Sequence, residues 1–165
     1  MVKHRSLYFW KILKNRKGFT LTEVVVTLAI LGIMTAISVP SYISWLPRHR
    51  LQTSVRQIYD DMQLAKIRAV KDNIKTYITF NTGNDTYFVF LDDGTVNGTY
   101  NIGDTILRNN ATLENGVDIT VANTCGFNNR GMSTVPGLIQ VFLANPTGNM
   151  RVDVNTAGNI SIVTL

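Results

Sequence analysis

Of the side chains able to do chemistry in this 165-residue sequence, Glu23 stands in the most costly place. It is the one formal charge in the run from Phe19 to Val39, where valine and isoleucine dominate. A lone carboxylate at membrane depth costs roughly 2.5–3.5 kcal/mol on insertion scales and is retained where a partner offsets that cost. One turn of helix separates Glu23 from Phe19, so its carboxylate lies near a helix N-terminus and can accept from the free amides there. Catalytic alternatives are thin. His4 sits in a basic tail, which leaves His49 as the sole other histidine for a Ser-His-Asp or Cys-His site or a zinc centre. Cys125, the sole cysteine, can form no intrachain disulfide and reads as a small buried or loop hydrophobe. Asp92, Asp93, Asn97 and Asp104 could gather around calcium, a hard cation that takes several oxygens. No EF-hand spacing is present, and a solvated loop is the plainer reading. The Asn-x-Ser/Thr strings at Asn84, Asn97, Asn110 and Asn159 match the glycosylation acceptor and read as coincidence in an Asn/Thr-rich surface. The glycine-rich turns lack a phosphate-loop pattern. We expect no catalytic residue, no metal and no cofactor.

The segment that carries Glu23 sets its surroundings. Phe19 to Val39 spans about 31 Å as a helix, close to the hydrocarbon thickness of a bilayer. In lipid, a helix is the only single-segment way to satisfy the backbone. Six cations (Lys3, Arg5, Lys11, Lys14, Arg16, Lys17) and no acid precede the run, and no cation follows until Arg48. That asymmetry predicts an N-terminus in the cytoplasm and a C-terminus outside. Tyr8, Phe9 and Trp10 before the run, and Tyr42 and Trp45 after it, suit the two interfaces. The formal charge of +5 belongs mostly to the tail: without it, ten Lys and Arg face eleven Asp and Glu. Residues 48–75 carry seven cations and three acids, whereas residues 76–165 carry three cations and seven acids. The C-terminal part therefore offers no large phosphate-binding face. A secretory signal peptide has a shorter apolar core and an A-x-A-like cleavage site at its end, and this run has neither. An ordinary signal anchor fits the length but leaves Glu23 unexplained.

The string Lys17-Gly18-Phe19-Thr20-Leu21-Thr22-Glu23 resembles the class III signal of type IV pilins and type II secretion pseudopilins. That family has a short basic leader, a glycine before the cut, an aromatic first mature residue, and glutamate at the fifth mature position. Pro40 falls where the family commonly has a helix-kinking proline. The resemblance implies that a prepilin peptidase on the cytoplasmic face cleaves between Gly18 and Phe19 and methylates the new amine of Phe19. It implies that the apolar run anchors the subunit in the bacterial inner membrane and later becomes packing surface in a filament. Glu23 then gains a partner, the N-terminal amine of its own or a neighbouring chain, and acts as a register device between helices.

Beyond Pro40 and Pro47 the helical period continues. Leu51, Val55, Ile58, Met62, Ala65 and Ala69 form one apolar stripe, which predicts a helix reaching Lys71 or Asp72. Counted from Phe19 it would be about 80 Å long, with bends near the two prolines. The cations of residues 48–75 either meet lipid headgroups or acidic neighbours, or form a solvated face. From Ile74 the period changes to two. Strands are expected at 74–80, 86–91, 104–108, 117–122, 138–144, 149–154 and 159–164, with turn signals between them that include Asn97-Gly98 and Asn109-Asn110. Short alternating strands at this spacing indicate an antiparallel sandwich or curled sheet, with the helix stripe as one wall of its core. Three stretches are similar, in order, to segments of the GspH/FimT-type branch of minor pilins: MQLAKIRAVKDNIKTYITF, CGFNNRGMST with Phe127 and Gly131, and MRVDVNTAGNISI. Some fimbrial T-type members capture DNA through an arginine-bearing turn. The corresponding turn here, Gly158-Asn159-Ile160-Ser161, has no arginine.

The expectation is an α+β fold: a long N-terminal α-helix, transmembrane in its first half and amphipathic in its second, packed on an antiparallel β-sheet or sandwich. Residues 1–18 form the leader that is removed, 19–45 the transmembrane and assembly helix, 46–73 the amphipathic helix and 74–165 the β domain. The resemblance implies a minor pilin or pseudopilin, not an enzyme, that joins, primes or caps a type IV pilus or type II secretion pseudopilus. Its partners would be the prepilin peptidase/methyltransferase, other pilin or pseudopilin subunits through the N-terminal helix, and the inner membrane, with the domain periplasmic or extracellular. A DNA-binding minor pilin for natural transformation is the nearest alternative, and the sparse cations of residues 76–165 argue against nucleic acid. A signal-anchored binding module or enzyme stands further off.

Overall fold

The structure, a computed structural model, describes residues 18–94 and 98–165. The basic tail up to Lys17, with Tyr8, Phe9 and Trp10, and the stretch holding Asn97 lie outside the described residues. Helix α1 runs from Leu21 to Asp72, 52 residues without interruption. Pro40 and Pro47 lie inside it; neither has an N–H, so the carbonyls of Ala36 and Ile43 lose their usual donor. Hydroxyls in the apolar half turn inward to the backbone: Thr35 donates to the Leu31 carbonyl (2.9 Å) and Ser38 to that of Met34 (2.8 Å). At the far end Asn73 takes a left-handed conformation (φ 55°), a common way to close a helix, with Lys71 in the last turn facing the negative end of the dipole.

The chain divides into two compact units, one up to Tyr42 and one from Ile43 to Leu165. In the first, every described residue is exposed. The second contains the core and two antiparallel four-stranded sheets. Strand β1 (Thr76–Asn81) pairs with β2 (Thr86–Leu91) through a turn that holds Asp85 at φ 51°. Beyond them come β3 (Thr105–Thr112), β4 (Asp118–Ala122) and β5 (Cys125–Phe127). The chain closes with β6 (Ile139–Asn145), β7 (Gly148–Val154) and β8 (Ile160–Thr164). The first sheet has the order β3-β2-β1-β5 and the second β4-β6-β7-β8. The fold is α+β, with the second half of the helix packed on antiparallel sheets.

Three strand expectations need correction. Asn109-Asn110 is not a turn but part of β3, which extends to Thr112. Asn110 adopts φ 41° and the register with β2 shifts between Tyr87 and Val89, so a bulge absorbs the left-handed residue without ending the strand. Strand β5 had no alternating pattern to announce it; its three residues are all buried and pair with Thr76, Tyr77 and Ile78. Strand β1 begins at Thr76 rather than Ile74, because the chain leaves the helix over Asn73–Lys75.

The core follows from period. Leu51, Val55, Ile58, Met62, Ala65 and Ala69 are each 4% exposed or less. They belong to one cluster with Tyr87, Val89 and Phe127 of the first sheet and Val141, Leu143, Val152 and Val154 of the second. Alternate residues of β6, namely Ile139, Val141 and Leu143, are buried while Gln140 and Phe142 are only partly so, the period of a strand with one covered face. Each large apolar side chain removed from water here contributes about 1.5–3 kcal/mol.

Candidate functional site

Thr20 is the N-cap of α1. The Glu23 amide donates to its Oγ1 (3.2 Å) and the Val24 amide to its carbonyl (3.2 Å). Glu23 is thus the third residue of the first turn, and Thr-x-x-Glu is the residue order of a capping box. An amide near the helix start does find an oxygen acceptor, but it is the amide of Glu23 itself and the acceptor is Thr20. The Glu23 side chain is exposed and makes no hydrogen bond or ion pair among the described residues. As an anion in the first turn it is favoured by the helix dipole, by about 0.3–1 kcal/mol at an exposed position. Gly18 and Phe19 precede the helix. Phe19 is 80% exposed, and a Cβ built on Gly18 would meet nothing within 4 Å. The peptide between them is therefore outside regular structure and open to solvent. Pro40 lies exposed within α1.

A second polar group, which sequence reasoning passed over, fastens the helix to the sheets. Asp61, 3% exposed, accepts from the Tyr87 hydroxyl (2.6 Å) and from Arg108 Nε (3.1 and 3.2 Å). Gln57 Nε2 donates to the Tyr87 hydroxyl (3.0 Å) and to the Thr112 carbonyl (3.2 Å). Burial first, and the Asp61 carboxylate second, push the Tyr87 phenol well above its ordinary pKa, which keeps it a proton donor. The hydrogen bond that Arg108 donates to Asp61 likewise favours its charged guanidinium. Two more ties flank this group: the Glu114 amide donates to the buried Ser54 hydroxyl (3.1 Å), and Lys66 Nζ donates to the Gly158 carbonyl (2.9 Å). A signal for Asp61 was present. It falls three residues after Ile58 and four before Ala65, on the flank of the buried stripe, whereas Asp60 does not. A carboxylate so placed requires donors, and Arg108 is the one cation between Lys75 and Arg130.

The remaining candidates have structural partners. Oxygens of Asp92, Asp93 and Asp104 lie within 4.8 Å of one another. Asp92 accepts from the Gly94 and Gly98 amides (2.7 and 3.2 Å), and Asp104 from the Asp93 and Asn101 amides (2.9 and 2.8 Å). These carboxylates tie the loop after β2 to itself. Burial pushes the Cys125 thiol up to about 12, so it is a protonated core group. His49 stacks on Trp45 with ring centroids 4.4 Å apart. Of the two arginines after Arg108, Arg151 pairs with Asp153 (3.1 Å) and lies over the Phe142 ring (5.7 Å). In the turn between β7 and β8 the Gly158 carbonyl receives Lys66, and a Cβ on Gly158 would collide with the Gly131 carbonyl.

Two family models match the chain. One, described as type II transport protein GspH, spans residues 54–158, and the other, described as the prokaryotic N-terminal methylation motif, spans residues 13–39. No curated protein matches. Among solved structures, the chain is similar to the type IV minor pilin FimU of Pseudomonas aeruginosa PAO1, at 15% identity and TM-score 0.54 over 70% of this chain and 89% of that one. It is also similar to the minor pseudopilin EpsH from the type 2 secretion system of Vibrio cholerae, at 13% identity and TM-score 0.54 over 70% of this chain and 97% of that one. At such identities the likeness to solved structures concerns the fold.

Proposed function

Because the chain belongs to the GspH family of type II transport proteins, we propose that it is a minor pilin or pseudopilin, a structural subunit of a type IV pilus or a type II secretion pseudopilus. The observation that carries this reading is a succession on one helix. The methylation motif covers residues 13–39, the GspH match begins at residue 54, and α1, unbroken from Leu21 to Asp72, runs from within the first into the second. In this reading a prepilin peptidase cuts between Gly18 and Phe19, in the exposed stretch ahead of the helix, and methylates the amine of Phe19. The leader cations hold the N-terminus in the cytoplasm, residues 19–39 span the inner membrane, and the domain lies outside.

The cut creates an amine one helical turn from Glu23. The Glu23 side chain is exposed and has no partner among the described residues, so in this reading its carboxylate is available to the amine of its own or a neighbouring subunit and fixes register between helices. The missing donor at Pro40 allows α1 to bend as subunits pack. Solved relatives of this fold are described as minor subunits, and we assign this chain to the same kind of position, where it primes or caps a filament. Chemistry is done to the protein, at Gly18–Phe19, rather than by it. A nucleic-acid role draws no support from Arg151, which is engaged by Asp153, nor from the β7–β8 turn.

Intact and N-terminal mass measurement of the membrane-extracted chain tests the proposal. The expected product starts at Phe19 and carries one added methyl; an intact Met1, or a start beyond the apolar run, overturns it. Glu23→Ala is expected to be cut normally and to enter filaments poorly. Normal incorporation of that variant would remove the register role.

A further inference from the structure

The two sheets end in four edge strands, β3 and β5 in the first, β4 and β8 in the second. An edge presents a row of unpaired backbone groups, and folded chains close or blunt it. Three of the four are answered here from within the chain. Beside β5, the Thr134 amide donates to the Gly126 carbonyl and the Asn128 amide to the Met132 carbonyl (both 2.9 Å). On β4, the Ile119 amide donates to Asp85 Oδ1 (2.8 Å), and a register shift follows it. On β3, Gln57 donates to the Thr112 carbonyl (3.2 Å), and the register against β2 shifts twice.

Strand β8 has none of these devices. Its register with β7 is regular, and Asn159 to Leu165 contain no charged residue, proline or glycine. The Asn155 amide bonds to the Asn159 carbonyl (3.1 Å) and the Leu165 amide to the Asn149 carbonyl (3.2 Å). Backbone groups alternate sides along a strand, so Ser161 and Val163 face β7 as well. Ile160, Ile162 and Thr164 therefore turn their N–H and C=O groups outward. Those outward groups have no hydrogen bond among the described residues. Ile160 and Ile162 stand opposite the buried Val154 and Val152, so the apolar wall of the sheet runs out to this edge, where Ile162 is 37% exposed.

We propose that the β8 edge is a docking site for an extended, uncharged segment of a partner protein, which joins the second sheet as a fifth strand. Outward N–H and C=O groups on every second residue match an extended backbone. The edge carries no charge, so a charged residue opposite it would lose water and gain no partner; the segment is therefore uncharged. Its face beside Ile160 and Ile162 is apolar. A second copy of β8 has this chemistry but the wrong direction. Gly158 is bonded to Lys66, and Thr164 lies by Arg48 and Leu51, so β8 runs against α1. Two β8 strands paired antiparallel would run their helices in opposite directions, whereas subunits packed side by side run alike. That exclusion alone rests on the assembly reading.

The test uses the full chain in detergent and a capped heptapeptide of alternating threonine and valine. Amide hydrogen exchange is read residue by residue. In the free chain Ile160, Ile162 and Thr164 should exchange fast, and Ser161 and Val163 slowly. Peptide at ten times its Kd should slow the three outward amides about tenfold and leave Ser161 and Val163 nearly unchanged. The same peptide N-methylated at two adjacent central residues, so that neither of its edges can pair, should have no effect. Ile162→Pro removes an outward N–H without touching a bond to β7, and should abolish the slowing at Ile160 and Thr164. Resistance of Cys125 to alkylation reports that the variant is folded. No slowing at about 1 mM peptide, where a site of Kd about 1 mM would be half filled, overturns the proposal. Equal slowing by the N-methylated peptide overturns it as simple apolar adsorption. Protection of the three amides in the chain alone, with the mass of a dimer by native mass spectrometry, overturns it in favour of a second copy. The readout does not depend on cleavage at Phe19, so its failure and that of the processing reading are separable.

Discussion

The more apolar half of α1 buries nothing, and the less apolar half builds a core. Near the N-terminus an 18-residue window reaches a mean hydropathy of 2.1 with 0% of it buried. From Leu51 onward six stripe residues are nearly or fully buried, although Arg56, Asp60, Lys66, Arg68 and Lys71 share the same turns. Burial therefore tracks the arrangement of apolar residues rather than their number. A stripe needs one wall, and the two sheets supply it. A helix that is apolar all round has no preferred wall and is at home in lipid or among other helices. One element is thus written for two environments, and Pro40 and Pro47 lie near the change from one to the other.

The comparison is broken most directly by removing side chains from each half. Ile58→Ala should lower the unfolding free energy of the full chain in detergent by about 2–5 kcal/mol, because it leaves a cavity facing both sheets. Denaturant unfolding followed by alkylation of Cys125 measures it, and a loss below about 0.5 kcal/mol, the range of a surface change, would show that the stripe is not a wall. The polar ties come next. Asp61→Ala leaves the Tyr87 hydroxyl buried without its acceptor and should cost about 1–3 kcal/mol. Combined with Tyr87→Phe it should cost less than the sum of the two, with coupling of about 0.5–3 kcal/mol. Simple additivity would mean that Asp61 and Tyr87 act separately.

What was legible in the sequence divides along the same line. The helix end at Asp72, the apolar stripe and most strands were readable because each rests on a period maintained over several residues. Strand β5 and the β3 bulge were not, because each is set by its neighbours: Cys125–Phe127 is a strand only because β1 lies beside it, and Asn110 stays in one only because β2 accommodates a shift. At the N-terminus the order of residue types carried the Gly18–Phe19 and Glu23 reading, and the structure adds Thr20 as the cap. The Asp61 group combines residues 57, 61, 87 and 108, a separation that no local pattern spans.

A pH effect should be confined to the second unit. Burial lifts Cys125 from its ordinary 9.0 to about 12 and raises Tyr87 from its ordinary 10.0. The fold holds both groups protonated, so above pH 9 the unfolded chain binds fewer protons than the folded one. Their contribution is complete below pH 9 and is lost as pH rises toward 12, at up to about 1.4 kcal/mol per pH unit for each group. Unfolding midpoints should be level from pH 7 to 9 and fall beyond it, with the onset moved to about pH 10 in Cys125→Ala. An onset unchanged by that substitution would mean that Cys125 ionises as freely folded as unfolded.

The smallest expected effect sharpens the comparison most. Ile33 is as large and apolar as Ile58, but it is 65% exposed where Ile58 is 0%. If the first half of α1 makes no contribution to the core, Ile33→Ala should change the unfolding free energy of the domain by less than about 0.5 kcal/mol, measured exactly as for Ile58→Ala. Its cost should appear instead where that half of the helix is used, as weaker incorporation into filaments when subunits pack side by side. The two readouts separate hydrophobicity spent on folding from hydrophobicity reserved for a different environment. A loss of domain stability close to that of Ile58→Ala would join the two halves into one cooperative unit, and the division drawn at Tyr42 would have to be abandoned.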